Sequence, residues 1–186
     1  MRIISGIKKG KKLSLPDPKY TRPLRDQVKE NIFNILIHQK NFETEILNSI
    51  VVDFFSGSGS FGIECLSRQS KKVYFIENNT KIQNTLYRNL NNNFDENSYQ
   101  IIKSNFFNID KKKLISEIEP NIIFLDPPYD IENFDQIFSL IDSLKKTNIL
   151  IILHIHKNKN VFFKGFKKNL EREYGISKII YPIQCY

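Results

Sequence analysis

The sequence predicts an α/β fold: a central, mostly parallel sheet with helices on both faces, an antiparallel C-terminal hairpin at one edge and a small N-terminal β-hairpin extension. Strand-length apolar segments alternate with helical segments between residues 50 and 154, the pattern of a parallel sheet. A glycine-rich loop follows the first of these strands. The last two strand-like segments flank Gly175 and predict the closing hairpin.

Each element is predicted from its hydrophobic period. The chain opens with a hairpin over residues 2–15, and Pro23 then precedes or begins a helix. The apolar face of that helix is Val28, Ile32, Phe33, Ile35 and Leu36. The predicted strands cover residues 50–55, 73–77, 99–103, 122–126 and 149–154. The helices between and after them cover residues 60–68, 81–91, 114–118 and 134–144, and the closing hairpin covers 170–174 and 178–183.

The length of 186 residues allows one domain with a sizeable core. We therefore expect a single domain over residues 1–186, with a basic hairpin extension over 1–20 and a catalytic core over 21–186. Cys65 and Cys185 have neither metal-type nor disulfide-type spacing. The apolar run 149–153 is too short to span a bilayer, and the N-terminus lacks the apolar core of a signal peptide. We expect a cytoplasmic monomer without a metal or a membrane partner.

The net charge of +8 is typical of nucleic-acid-binding proteins, although an AT-rich coding sequence would enrich Lys without selection for charge. The placement of the basic residues is more informative than their number. They crowd the N-terminal region as Arg2, Lys8, Lys9, Lys11, Lys12, Arg22 and Arg25.

The loop after the first strand of the sheet indicates a nucleotide-containing cofactor. Residues 53–62 read D-F-F-S-G-S-G-S-F-G, and Glu77 follows Gly57 at about the spacing of a ribose-binding acid. Gly57 and Gly59 would let the turn pass close to the ligand. Asp53, however, would oppose a diphosphate at the helix N-terminus, where NAD places its own. A cationic nucleoside without phosphate, S-adenosylmethionine, suits this acid better than NAD.

The loop after the third strand is expected to close over the adenine of that cofactor. Asn105 could accept a hydrogen bond from the adenine amine, and Phe106 could stack on the ring. A turn asparagine followed by a core phenylalanine is the alternative.

The segment Asp126-Pro127-Pro128-Tyr129 predicts the chemistry, because it follows the strongly apolar strand I-I-F-L. The two prolines remove two N–H donors and hold the chain extended. Carbonyl groups and a carboxylate could then accept the protons of an exocyclic amine on a flat base, while Tyr129 stacks on a base that has left its own stack. Hydrogen bonds from both N–H groups of the amine to these acceptors would free its lone pair for attack on a methyl group.

Segments along the whole chain carry a family resemblance. They read M-R-I-I-S-G-I-K-K-G-K-K-L, T-R-P-L-R-D-Q-V-K-E-N-I-F-N-I-L, V-D-F-F-S-G-S-G-S-F-G-I-E-C-L-S-R, F-L-D-P-P-Y and R-E-Y-G-I-S-K-I-I-Y. The chain resembles the RsmD family of bacterial small-subunit ribosomal RNA guanine-N2 methyltransferases, which are Rossmann-like class I enzymes dependent on S-adenosylmethionine. The T-R-P and D-P-P-Y segments are the most specific part of the match.

The resemblance implies methylation of the N2 amine of one guanosine in 16S ribosomal RNA, with the small ribosomal subunit as partner. The basic hairpin, with Arg22 and Arg25, would contact RNA phosphates. Thr21 and Arg22 would also approach the active-site cleft. Some positions depart from the family pattern: Leu24 replaces a usual Thr, Asn105 a usual Asp, and His154 a usual acid. We expect His154 and His156 to be histidines at the solvent edge of the sheet.

Three alternatives remain open from the sequence. An adenine-N6 methyltransferase acting on DNA or RNA would also use D-P-P-Y. A non-catalytic RNA-binding assembly factor could retain the fold without the reaction. An NAD oxidoreductase is the remaining reading of the glycine-rich loop.

Overall fold

Strands and helices alternate along the chain as the hydrophobic periods predict. The computed structural model describes residues 1–19, 24–38, 42, 45–131, 134–163, 166 and 168–183. The α-helices are α1 Asp26–His38, α2 Ser60–Ser67, α3 Thr80–Asn91, α4 Lys111–Ile118 and α5 Asp135–Ser143. The strands are β1 Ile50–Phe54, β2 Lys72–Ile76, β3 Tyr99–Ile102, β4 Ile122–Leu125, β5 Leu150–His156, β6 Lys168–Tyr174 and β7 Ser177–Ile183.

The strands form a seven-stranded sheet in the order β3-β2-β1-β4-β5-β7-β6. The first five pair in parallel, whereas β7 pairs antiparallel with both β5 and β6. This arrangement confirms the mostly parallel sheet with an antiparallel C-terminal hairpin at one edge. The chain direction across the sheet reverses between β1 and β4, and ligands of open α/β sheets bind at such a switch point.

The central strands are buried on both faces. Val51 belongs to a core cluster that includes side chains of α1, α2 and α3, and the adjacent Val52 belongs to a second cluster with side chains of α4 and α5. Successive side chains of a strand point to opposite faces, so both clusters are filled from the same apolar runs. Helices therefore cover both faces, as predicted.

The N-terminal hairpin packs on the first face. An antiparallel bridge joins Arg2 to Lys12, and the side chains of Ile3 and Leu13 belong to the first core cluster. The Asn89 side chain, on α3, accepts a hydrogen bond from the Ser14 N–H at 2.8 Å. The division into a hairpin extension and a separate core stays a prediction.

Buried charges anchor this hairpin to α1 and α2. The fully buried Glu64 carboxylate accepts hydrogen bonds from the backbone N–H groups of Ile4 at 2.7 Å and Ser5 at 2.9 Å. Lys29 Nζ lies 3.8 Å from Glu64 and donates to the Arg2 carbonyl at 2.6 Å. Burial lowers the pKa of Lys29, and the charge of Glu64 opposes that effect. A buried carboxylate is tolerated here because backbone donors and a cation replace its water.

The turn of the hairpin lies against the C-terminal end of α2. The Ile7 N–H donates to the Ser67 carbonyl at 2.7 Å. Gly6 has φ of 83°, and a Cβ atom on it would lie 1.9 Å from the Ser67 carbonyl oxygen. Gly10 also has φ of 83°, but nothing lies within 4 Å of its Cβ position.

The two glycines allow a matched test of this contact. Gly10→Ala should lower the free energy of unfolding by about 1 kcal/mol, because alanine is strained at positive φ. Gly6→Ala should cost about 1–3 kcal/mol more, because the added methyl group displaces the hairpin from α2. Denaturant unfolding of both variants measures the difference; equal losses would contradict the packing described for Gly6.

Candidate active site

The carboxyl ends of the parallel strands surround a cavity of about 670 Å³. It brings together most of the residues that the sequence singled out for binding and chemistry. They are Asp53, Gly57, Glu77, Asn105, Phe106, Asp126, Pro127, Pro128 and Tyr129. The segments predicted for cofactor binding and for chemistry therefore share one cavity.

The wall of this cavity carries three carboxylates. Asp53 and Glu77 are buried, at 1% and 7% exposure, and the Asp126 side chain is 17% exposed. Asp53 Oδ2 accepts a hydrogen bond from the Gly62 N–H at 3.0 Å. Burial raises the pKa of Asp53 well above its usual value, and the charges of Asp126 and Glu77 raise it further. Such a wall favours a cationic ligand and disfavours a diphosphate.

A strained backbone position starts the loop after β1. Phe55 has φ of 62°, a conformation that costs a bulky residue about 1–3 kcal/mol. The next hydroxyl, Ser56 Oγ, donates to the carbonyls of Asp53 at 2.7 Å and Ile76 at 3.0 Å. These hydrogen bonds tie the loop to the ends of β1 and β2. The next residue, Gly57, lines the cavity.

Glu77 joins this loop to the loop after β2. One carboxylate oxygen accepts the Gly57 N–H at 2.9 Å and the other accepts the Asn79 N–H at 2.8 Å. Each oxygen keeps a further acceptor site, so the predicted hydrogen bonds to ribose hydroxyls stay a prediction. Glu77 thus has a structural role beside its expected ligand role.

The second and third glycines of the motif serve packing. A Cβ on Gly59 would lie 2.5 Å from Leu86 Cδ1, and one on Gly62 would lie 2.4 Å from Phe75 Cε1. Gly59, with φ of 84°, precedes α2 and is not among the described residues that line the cavity. Its predicted approach to the cofactor therefore stays a prediction, whereas its packing against α3 is observed.

Ser60 is a site residue that the sequence reasoning missed. It is 5% exposed, lines the cavity and begins α2, where backbone N–H groups lack partners within the helix. Among the described residues, its buried Oγ has no hydrogen-bond partner. An unpartnered hydroxyl beside a helix N-terminus suits an anionic group of a ligand. Its position directly after G-S-G is a signal that could have identified it.

Asn105 and Phe106 also line the cavity. Asn105 Oδ1, expected to accept from adenine, already accepts the Phe107 N–H at 2.9 Å. Phe106 lines the cavity but is only 2% exposed, and it packs edge-on against Phe54 with ring centroids 5.2 Å apart. The contacts of both residues with adenine stay predictions.

The D-P-P-Y segment leaves β4 at the cavity. The Asp126 N–H reaches the Phe54 carbonyl only at 3.5 Å, and the Pro128 carbonyl accepts the Ile131 N–H at 3.2 Å. Among the described residues, no donor bonds the carbonyl of Pro127, which also lines the cavity. An exposed carboxylate oxygen and a free carbonyl are the acceptors that an exocyclic amine requires.

His154 is buried, so the prediction of a solvent-edge histidine is wrong for this residue. It is 2% exposed, and its Nδ1 lies 2.8 Å from Asp126 Oδ1. Its Nε2 lies 3.1 Å from the Tyr129 hydroxyl. The strand extends past residue 154 to His156, which is half-buried with its ring centroid 5.0 Å from that of Tyr129. Burial follows because β7 covers β5 on the side away from β4.

The candidate RNA-binding residues are mostly exposed. Arg2, Lys9, Lys11, Lys12 and Arg25 are exposed and Lys8 is half-buried, while Thr21 and Arg22 lie outside the described residues. Lys8 lies at the Ser67 end of α2, because its N–H donates to Ser67 Oγ at 3.1 Å. That end is about 10 Å from the cavity along the helix axis. Lys19, which the sequence reasoning missed, lines the cavity itself.

Among the described residues, no group of three or more His, Cys, Asp and Glu side chains could hold a metal ion. No helix in the described ranges combines the length and apolar character needed to cross a membrane.

Comparison with known proteins adds independent information. The model of the family described as Conserved hypothetical protein 95 matches residues 1–182. Ribosomal RNA small subunit methyltransferase D of Haemophilus influenzae is 34% identical over 165 residues, which are 86% of this chain and 80% of that protein. The solved Escherichia coli protein yhhF is 25% identical with a TM-score of 0.72, covering 100% of this chain and 99% of that one.

A more distant structure has the same fold. An RNA methyltransferase from Salinibacter ruber, in complex with S-adenosyl-L-homocysteine, is 11% identical with a TM-score of 0.58. The alignment covers 89% of this chain and 96% of that one. At this identity the likeness shows the fold alone.

The buried Asp53 predicts a pH-dependent stability. In the folded protein its pKa is raised above the ordinary 3.8, so ionisation opposes folding as pH rises above that value. Asp53→Asn keeps an acceptor for the Gly62 N–H and removes this charge. We expect its melting temperature to exceed that of the unmodified protein by more at pH 7 than at pH 4.

The control for this test is Asp142→Asn, since the Asp142 side chain is 58% exposed. Its melting temperature should follow that of the unmodified protein at both pH values. If Asp53→Asn showed no stabilisation at pH 7, the charged form of Asp53 would not be disfavoured by burial.

Proposed function

This chain belongs to the RsmD family, described as Conserved hypothetical protein 95, and we propose that it methylates the N2 amine of a guanosine in 16S ribosomal RNA. The methyl donor is S-adenosylmethionine. The observation that carries the proposal is the meeting of the acidic wall and the D-P-P-Y segment in one cavity. A cationic donor and a flipped base would then share that cavity.

The cavity residues fit S-adenosylmethionine better than NAD. Asp53 and Glu77 suit a ligand that carries an ammonium and a sulfonium but no phosphate. The orphan hydroxyl of Ser60 and the N-terminus of α2 suit the methionine carboxylate. Glu77 would accept hydrogen bonds from the ribose hydroxyls. When bound, the cofactor supplies a methyl group that its sulfonium has already activated.

The protein's own contribution is to prepare the nucleophile. The lone pair of the guanine N2 amine is delocalised into the ring, which makes it a poor nucleophile. Asp126 and the Pro127 carbonyl accept hydrogen bonds from its two N–H groups and draw the nitrogen toward tetrahedral geometry. Tyr129 stacks on the extruded base and holds the amine in line with the methyl group. Asp126 can take the proton that the methylated nitrogen must lose.

The choice of guanine rests on the acceptor pattern. Guanine presents adjacent N1–H and N2–H donors, which suit the carboxylate of Asp126. Adenine-N6 enzymes also use D-P-P-Y, so this pattern alone separates the bases weakly. The name of the Haemophilus influenzae relative supports small-subunit ribosomal RNA as the substrate. The choice of guanosine within it rests on the acceptor pattern and on the family resemblance.

Mass spectrometry of ribosomal RNA from a strain lacking the gene tests the substrate. We expect one N2-methylguanosine to disappear from 16S RNA and to return when the gene is restored. Loss of an N6-methyladenosine instead would replace this proposal with the adenine-N6 alternative. If calorimetry detected no binding of S-adenosylmethionine, a non-catalytic assembly factor would be favoured. If NAD instead raised the melting temperature, an oxidoreductase would be favoured.

Asp126→Ala should abolish methyl transfer, because the amine loses its charged acceptor. Activity should fall by at least about a hundredfold, as for the loss of a positioned acid–base group. The dissociation constant of S-adenosylmethionine, measured by calorimetry, should stay within a few-fold. Asp142→Asn is the matched control with full activity. Retained turnover in Asp126→Ala would remove Asp126 from the mechanism.

Replacing Lys8, Lys9, Lys11 and Lys12 by Gln should weaken RNA binding and flatten its salt dependence. Each lost phosphate contact lowers the slope of log K against log salt by about 0.7–0.9. The control carries the same substitutions at Lys112, Lys113, Lys145 and Lys146, which belong to α4 and the turn after α5. An unchanged slope in the hairpin variant would mean that its charge reflects composition and not RNA contact.

A further inference from the structure

A chain of hydrogen bonds runs from the proposed catalytic carboxylate, Asp126, into the sheet. His154 Nδ1 lies 2.8 Å from Asp126 Oδ1, and His154 Nε2 lies 3.1 Å from the Tyr129 hydroxyl. The same hydroxyl lies 3.0 Å from Ser177 Oγ. The chain thus connects both side chains of the D-P-P-Y segment that have polar groups to one buried imidazole.

Strand register creates this contact. Leu125 of β4 pairs with Leu153 of β5, so the next residues, Asp126 and His154, lie side by side at the carboxyl ends of two parallel strands. His154 is 2% exposed and Ser177 is 5% exposed. Ser177 begins β7, which pairs antiparallel with β5. The histidine therefore sits on rigid elements, whereas Asp126 and Tyr129 sit in a loop.

The partners assign the proton of the imidazole. A carboxylate only accepts hydrogen bonds, so Nδ1 is protonated and donates a hydrogen bond to Asp126. In a neutral ring, Nε2 is then an acceptor and can receive a hydrogen bond from the Tyr129 O–H. The Tyr129 oxygen can in turn accept the Ser177 O–H. Every group of the chain has a partner in this arrangement.

We propose that His154 is a positioning residue that fixes Asp126 and Tyr129 relative to each other for methyl transfer. The inference rests on the proposed function, in which these two residues bind and orient the base. Pro127 and Pro128 lack N–H groups, and the Asp126 N–H makes only a 3.5 Å contact, so backbone hydrogen bonds attach the segment only weakly to the neighbouring strand. The imidazole takes one acceptor site of Asp126 Oδ1, which leaves Oδ2 and the second acceptor site of Oδ1 for the donors of the base.

Two substitutions separate the two nitrogen atoms of the imidazole. The amide of Asn places a donor near the Nδ1 position, and the longer amide of Gln places a polar group near the Nε2 position. His154→Asn should keep the bond to Asp126 and lose the bond to Tyr129. His154→Gln should lose the bond to Asp126. We expect kcat of the Gln variant to be about tenfold to a hundredfold below that of the Asn variant, the scale of a small misplacement of a reacting group.

The measurements distinguish positioning from general damage. The melting temperature and the calorimetric dissociation constant of S-adenosylmethionine should be similar in both variants, so that the loss falls on kcat alone. His38→Asn is the matched control, because His38 is exposed at the end of α1. Equal kcat values for the Asn and Gln variants, or full activity in the Gln variant, would overturn the proposal.

A spectroscopic measurement tests the same bond without activity. Nitrogen-15 NMR should show His154 as the Nδ1–H tautomer, with its signal assigned from its absence in His154→Gln, and Asp126→Ala should release that preference. An Nε2–H tautomer in the unmodified protein would overturn the proposal whatever the activity. A protein that shows the Nδ1–H tautomer but transfers no methyl group to RNA would instead refute the proposed function.

Discussion

The parallel pairing of β1 with β4 is the constraint on which the site depends. Phe54 pairs with Leu125, so the chain segments that follow these residues leave the sheet together at the switch point. The acids just before and after them, Asp53 and Asp126, consequently face one cavity. Neither strand could shift by one residue without moving its acid to the other face of the sheet.

The acids that this pairing brings together destabilise the fold. Burial raises the pKa of Asp53, and the nearby charges of Asp126 and Glu77 raise it further. A cationic ligand would relieve this repulsion. The acidic wall and the positive donor thus complement each other, and the strained Phe55 lies in the same loop. These positions lower the stability of the fold and favour ligand binding, in line with the frequent trade-off between stability and function.

The N-terminal hairpin shows a different use of buried charge. Glu64 and Lys29 lie at the centre of the contact between the hairpin, α1 and α2. Their hydrogen bonds go mainly to backbone groups of the hairpin, so their effect is to fix its position on the catalytic core. The segment that follows then delivers Pro18 and Lys19 to the cavity. The hairpin therefore fixes the start of a segment whose later residues line the cavity.

The sequence by itself determined the elements and the chemistry-bearing segments. Strong apolar periods located the strands of the parallel sheet within one or two residues, since local pattern and burial agree there. D-P-P-Y and the glycine-rich loop could be placed in one cavity from the sequence, because the carboxyl ends of parallel strands lie at the same edge of the sheet. Only the tertiary structure decided what lies beside what. His154 looked like an edge residue until β4 and β7 enclosed it, Gly59 proved to face Leu86, and Ser60 proved to be an orphan donor. Such contacts depend on strand order and side-chain packing between distant segments, and no local period records either.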